Sequence, residues 1–210
     1  MKDLIILGTG VHAAEMVQIV ERANLKKKTW NLKGLISPLD KDPRREVQGY
    51  PVMGNYKQMG TWKRALFVPS NNWPVRYAIP RERLATLVDP SAFISPTAIL
   101  GKGCVVYPFC FIGHNARLGE RVFCLSHSVI SHDDVLGDRV TVTSGAMIAG
   151  RVQVGQDSYL GQACTIRQDI SIGRDCLIGT GAVVVKDVAS GSVMAGNPAR
   201  KIKDKRVKPS

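Results

Sequence analysis

Aromatic residues make up only 6% of this 210-residue chain, and no CxxC pair occurs among its five cysteines. No stretch approaches the roughly 18 to 20 apolar residues of a membrane span. Each shortage excludes something. Few aromatics, none interleaved with the basic residues of the tail, leave no stacking platform for nucleic acid. The cysteine spacing indicates neither a zinc knuckle nor a disulfide framework. The opening Met-Lys-Asp-Leu-Ile-Ile-Leu-Gly reaches Gly8 and Thr9 too soon for a signal peptide, so no membrane association and a cytoplasmic location are expected.

What is present is an ordinary globular composition, 44% hydrophobic, with a strongly basic balance: 29 Lys plus Arg against 17 Asp plus Glu, a net charge of +12. Such a field favours anionic partners without naming them. Much of it is local. Residues 186–210 hold Lys186, Arg200, Lys201, Lys203, Lys205, Arg206 and Lys208 against Asp187 and Asp204. That cluster suits a phosphate-bearing molecule, or simply a solvated tail.

Internal repetition decides the architecture. From Leu87 to Val188 the chain divides into seventeen hexads without an insertion, beginning LVDPSA, FISPTA, ILGKGC and ending LIGTGA, VVVKDV. The second position runs Val88, Ile94, Leu100, Val106, Ile112 and onward to Ile178 and Val184, aliphatic in sixteen of seventeen hexads, with Cys124 the exception. The third position is often Gly and the sixth mostly small or β-branched. Each hexad therefore reads as a short strand and a tight turn, its aliphatic residue pointing into a narrow prism. Cys104, Cys110, Cys164 and Cys176 fall on the sixth position, which makes the cysteines packing residues and not nucleophiles.

Residues 1–86 lack this period and read as a small α/β unit: a strand at Asp3 to Leu7, the turn Gly8-Thr9-Gly10, a helix at Val11 to Arg22, then strands near Gly34 to Ser37 and Ala65 to Pro69. The pattern is half of a Rossmann unit, in which a helix N-terminus after a glycine turn can hold an anion. Ala13 occupies the third glycine of the GxGxxG fingerprint, so a dinucleotide site is not indicated. The expected division is 1–86, 87–188 and a closing segment with a basic tail at 189–210.

The hexads resemble the hexapeptide-repeat acyltransferases, whose left-handed parallel β-helix uses three hexads per triangular coil. The whole chain is similar to a narrower group, the bacterial sialic acid O-acetyltransferases and the N-acetyltransferases of nucleotide-linked 4-amino sugars. The resemblance is carried by Gly8-Thr9-Gly10-Val11-His12, by Ser70-Asn71-Asn72 followed by Arg76, by Ala85 to Ala92, by Ile130-Ser131-His132-Asp133, and by the closing Gly191 to Arg200.

What the resemblance implies is an acetyl-CoA-dependent N-acetyltransferase of bacterial surface glycan biosynthesis, acting on the amino group of a nucleotide-linked amino sugar. O-acetylation of a sialic acid and a non-catalytic trimeric scaffold are the alternatives. Acyl transfer needs a base for the acceptor's proton. Of His12, His114, His127 and His132, the family's His-Glu pair maps onto His132 and Asp133, with Asp in place of the usual Glu. His114, 18 residues before His132, is expected to stack beneath it. A zinc set like that of the related γ-class carbonic anhydrases would use His127 and His132, but Ser91 and Pro96 stand where a third ligand is needed, so no metal is expected.

Carried over from the family, acetyl-CoA contacts fall on Thr141, Gly150, Gln162 and Thr180, largely through main-chain atoms. Lys186, Arg200 and Lys201 are placed for its phosphates. The nucleotide contacts fall on Gly10, Val11, His12 and Ser70, with Ser37-Pro38 replacing the family's acidic pair while Asp40 and Asp42 lie close by. The resemblance also implies a homotrimer with active sites between subunits.

Overall fold

The computed structural model describes residues 1–71, 73–74 and 77–205. Asn72 and Arg76, two carriers of the resemblance, and the basic Arg206 and Lys208 lie outside the described residues. Spatial contacts divide the chain into Met1–Pro90 and the residues from Ser91 onward. Among the described residues the protein is mainly β, with one α-helix and a parallel β-solenoid.

In the first unit, β1 (Lys2–Leu7), α1 (Val11–Lys26), β2 (Trp30–Ser37), β3 (Glu46–Val47), β4 (Tyr50–Asn55) and β5 (Leu66–Pro69) follow one another, and the sheet order is β3-β4-β2-β1-β5. The central strands are parallel, and the β3–β4 hairpin is antiparallel. Leu4 to Leu7 are wholly buried, the continuous apolar run of a strand covered on both faces. Helix α1 buries Ala13, Met16, Val17 and Val20, spaced to form one stripe. It runs a turn beyond Arg22, because nothing breaks it before Lys27 and Lys26 suits the negative end of the helix dipole. Val11, the first residue of the helix, is 74% exposed.

In the second unit, two-residue strands recur every six residues and pair in parallel with the strand 18 residues on, as Phe111–Ile112 does with Val129–Ile130. Three hexads thus make one coil. The second-position side chains, from Ile112 through Ile130, Ile148 and Ile166 to Val184, fill the interior. The fifth position is the turn residue: from Gly103 to Gly181 every one has positive φ, whether glycine or Asn115, His127, Asp133 and Asp169. The third-position glycines answer a different need. A β-carbon on Gly101 would lie 2.3 Å from the Gly119 carbonyl oxygen of the next coil, and one on Gly155 would lie 2.4 Å from the Arg174 nitrogen.

The closing motif is more ordered than its charge suggested. Ser192–Ala195 adds a parallel strand to the sheet containing Leu177–Ile178, and Arg200–Asp204 folds back on it antiparallel. Residues 200–204 are exposed, yet their backbone is paired, and Lys205 reaches Asp175. A solvated tail does not describe this segment as far as Lys205.

Candidate active site

His132 and Asp133 occupy the fourth and fifth positions of one hexad, so both project from a turn of the solenoid. His132 Nδ1 lies 2.8 Å from Asp133 Oδ2. The other carboxylate oxygen, Oδ1, accepts from Asn115 Nδ2 at 3.2 Å, one coil below. The His132 hydrogen bond, followed by that from Asn115, holds the Asp133 carboxyl below the usual carboxylate range. An ionised Asp133 accepts Nδ1–H, which leaves the ring's lone pair on Nε2.

The turn one coil above offers no side chain at the fourth position, while its Arg151 pairs with Asp169 at 2.6 Å. Gly150 stands at the position equivalent to His132, and a β-carbon there would lie 2.4 Å from His132 Nε2 and 2.5 Å from Cε1. The imidazole therefore rests on bare backbone, and Arg151 N–H donates to the His132 carbonyl at 3.0 Å. His114 occupies the equivalent turn below, where Nδ1 is 2.9 Å from Thr97 Oγ1. It is stacked as expected and has its own partner. Asn115 and the imidazole seat at Gly150 escaped the sequence reading as parts of one arrangement. Their 18-residue spacing from Asp133 and His132 is the signal that could have found them.

The remaining acetyl-CoA candidates do not form one cluster. Gln162 and Thr180 are exposed on successive coils of another edge, joined by Gly181 N–H to the Gln162 carbonyl at 2.8 Å. Thr141 is a strand residue, 7% exposed, between Phe123 and Tyr159. Lys186 is an exposed turn residue in the same column as His132. Arg200 and Lys201 lie on the closing strand, where Lys201 pairs with Asp204 at 2.5 Å.

In the N-terminal unit, Gly10, Ser37 and Ser70 come together at the C-terminal ends of neighbouring parallel strands, the usual place for a ligand in such sheets. Gly8, at φ +130°, lets the chain pass Ser70: a β-carbon there would lie 2.2 Å from Ser70 Oγ. Gly10 precedes α1 with no side-chain cap, Val11 is open, and His12 Nδ1 lies 3.2 Å from Glu15 Oε2. Pro38 is half-buried.

Ser37, by contrast, is turned inward and donates to Asp42 Oδ2 at 2.7 Å. Asp42 also accepts from Thr9 Oγ1 at 2.5 Å and from Arg44 Nε at 2.8 Å, while Arg44 Nη1 donates to the Thr9 carbonyl at 2.7 Å. Burial alone would raise the Asp42 carboxyl, but the hydrogen bonds from Arg44, Thr9 and Ser37 outweigh it and hold it well below the usual carboxylate range. Sequence reasoning passed over this clamp, since it ties residues 33 apart through a loop with no periodic pattern.

Among the described residues, no group of three His, Cys, Asp or Glu side chains is placed to hold a metal ion, and no helix is long and apolar enough to cross a membrane.

No family model and no curated protein matches the sequence. Solved structures do. The acetyltransferase domain of PglB from Neisseria gonorrhoeae superposes with a TM-score of 0.85 at 25% identity, over 96% of this chain and 100% of that one, and has also been solved in complex with acetyl coenzyme A. GDP-perosamine N-acetyltransferase from Caulobacter crescentus, as a histidine-to-alanine variant with CoA and GDP-perosamine, gives a TM-score of 0.88 at 24% identity over 97% and 98%. WeeI from Acinetobacter baumannii gives 0.78 at 22% over 96% and 100%. The likeness to hexapeptide-repeat sugar acyltransferases expected from the sequence therefore holds across nearly the whole chain.

Proposed function

We propose that this protein is an acetyl-CoA-dependent N-acetyltransferase that acylates the amino group of a nucleotide-linked amino sugar, with His132 as general base. The observation that carries the reading is the His132–Asp133 pair, raised on a solenoid turn over the bare backbone of Gly150. It is supported by the likeness to the PglB acetyltransferase domain and to the perosamine enzyme, whose complexes hold acetyl-CoA, and CoA with GDP-perosamine.

In the reaction, the acceptor nitrogen attacks the thioester carbonyl carbon and a C–N bond forms. His132 Nε2 takes the proton that the nitrogen sheds, while Asp133 keeps the imidazole in the right tautomer. Collapse of the intermediate breaks the C–S bond, and the proton passes to the departing thiolate. Main-chain groups at Gly150 and along the turns of Gln162 and Thr180 line the acetyl-CoA in this reading, with Thr141 acting through its backbone. Lys186, Arg200 and Lys201 meet its phosphates. The nucleotide is assigned to the N-terminal unit, at Gly10, Val11 and His12, with Pro38 and Ser70. Ser37 shapes that surface through Asp42.

The same reading makes the solenoid left-handed, the N-terminal unit Rossmann-like, the assembly a homotrimer with active sites between subunits, and the location cytoplasmic. The test is thiol release from acetyl-CoA by the purified protein against UDP-, GDP- and dTDP-linked amino sugars and free sialic acid. Release with an amino sugar supports the N-acetyltransferase and names its nucleotide. Release with sialic acid alone moves the reading to O-acetylation, and silence with every acceptor overturns it.

A further inference from the structure

The hexad that carries His132 breaks the repeat in a way that no other hexad does. Its sixth residue, Asp134, is the only charged residue at that position among the seventeen, where Ala, Val, Cys, Ser and Ile otherwise stand. Its carboxylate is 0% exposed. The position faces inward, so an ionisable side chain there needs partners. It has two, both main-chain: Oδ2 accepts from Ser131 N–H and Oδ1 from Val152 N–H, each at 2.8 Å. One donor lies in its own turn and the other in the next coil.

The first of these bonds alters the ladder. Third-position residues on either side, such as Gly113, Leu125, Gly137 and Ala149, donate their N–H to a main-chain carbonyl of the next coil. Ser131 gives its N–H to Asp134 instead, and its hydroxyl takes over the link to the next coil by donating to the Ile148 carbonyl at 2.6 Å. The residues between Ser131 and Asp134 are His132 and Asp133. Both ends of the catalytic turn are thus fastened by side-chain bonds that the equivalent turns of the same column, at His114 and Gly150, lack, and Asp134 ties the turn to Val152, two residues beyond the Gly150 on which the imidazole rests.

We propose that Asp134 is a positioning residue: by bridging Ser131 N–H and Val152 N–H it sets the height and angle of the His132 turn relative to Gly150. This rests on the reading of His132 as the base. Burial pushes the Asp134 carboxyl up to about 7, against the two N–H donors, so the device is built at a cost that Ala or Val would avoid.

The experiment compares Asp134→Ala with Ser158→Ala in the intact protein. Ala occurs at the sixth position in Ala116, Ala146 and Ala182, so the solenoid accommodates it. Ser158 makes the analogous bridge in a hexad remote from His132, accepting from Cys176 N–H at 3.0 Å, and serves as the structural control. Two readouts are taken: kcat and KM with each substrate, and the ring-carbon NMR signals of the four histidines, with His132 assigned through His132→Ala. Asp134→Ala should move the His132 signal, leave those of His12 and His127 in place, and lower kcat about tenfold or more with little change in either KM. Ser158→Ala should do none of these.

An unmoved His132 signal with wild-type kcat in Asp134→Ala overturns the proposal, as does an equal loss in Ser158→Ala. If the Ala variant does not fold, Asp134→Ser, which matches Ser128 and Ser158 and keeps an acceptor for Val152 N–H, takes its place with the same readouts. Should the wild type release no thiol with any acceptor, the functional reading fails while the NMR comparison still decides whether Asp134 positions His132.

Discussion

The imidazole of His132 lies on Gly150 so closely that a β-carbon there would come within 2.4 Å of Nε2. Gly150 has no positive φ to protect, and the atoms in the way are the far end of a rotatable side chain. The solenoid should therefore tolerate Gly150→Ala while the ring swings off its seat. A misplacement near 1 Å costs on the order of a hundredfold in turnover. We expect Gly150→Ala to keep a melting temperature within a few degrees of wild type and to lose about ten- to a hundredfold in kcat. An active variant with an unmoved His132 ring would show that the seat is not used.

His132→Ala should lower turnover by at least about two orders of magnitude, the usual worth of a positioned base, with the fold intact. Asp133→Asn should cost less, because Asn tolerates the left-handed turn at φ 60° and can still meet Nδ1. Equal losses in the two would mean that the pair acts as a unit, which the double variant checks directly.

The second-position residues, such as Ile130 and Ile148, made the solenoid legible, because a coil of 18 residues repeats one chemical demand at a fixed interval. His132–Asp133 was singled out by the resemblance and not by the period, since Glu120-Arg121, Asp138-Arg139 and Gln168-Asp169 are polar pairs at the same turn positions. What the period does not encode is the contact between coils. Gly150 looks like any other small residue until His132 is seen resting on it, and Asp134 reads as a charge in a turn until its burial is known. In the N-terminal unit, the Thr9–Asp42–Arg44 clamp and the β3–β4 hairpin depend on chain meeting chain through irregular loops, where no pattern announces the partner. The Arg200–Asp204 strand was obscured by its own charge: its side chains are solvated, but its backbone is paired.

The cysteines give a direct chemical check on the packing. Burial pushes the Cys104 and Cys164 thiols up to about 12 and Cys124 well above its ordinary value, so at neutral pH little of the reactive thiolate is present. All five cysteines are buried thiols, none of them in a disulfide. An aromatic disulfide reagent should titrate few thiols in the native protein and five after denaturation, and brief alkylation should leave activity intact. Rapid native labelling of Cys104 or Cys164, located by mass spectrometry, would contradict the interior placement.

Asp42 makes the stability of the N-terminal unit depend on pH in a calculable direction. Its folded pKa lies below its unfolded value of about 3.9, so its contribution is fully present above that pH and is lost as the pH falls through and below it. Replacement by Asn removes the charge from three hydrogen-bonded partners. Because Arg44 is half-exposed, we expect a loss of about 1.5 kcal/mol, the low end for bonds to charged groups. Trp30, Trp62 and Trp73, the only tryptophans, all lie in this unit, so their fluorescence follows its unfolding alone. In urea titrations, wild type and Asp42→Asn should differ by this amount at pH 6 and converge towards pH 3; a constant gap would mean that Asp42 acts through shape and not through charge. Since the same carboxylate fixes Thr9 beside Gly10, the variant should also raise KM for the nucleotide-linked acceptor while leaving that for acetyl-CoA unchanged, and equal effects on both would separate the clamp from nucleotide binding.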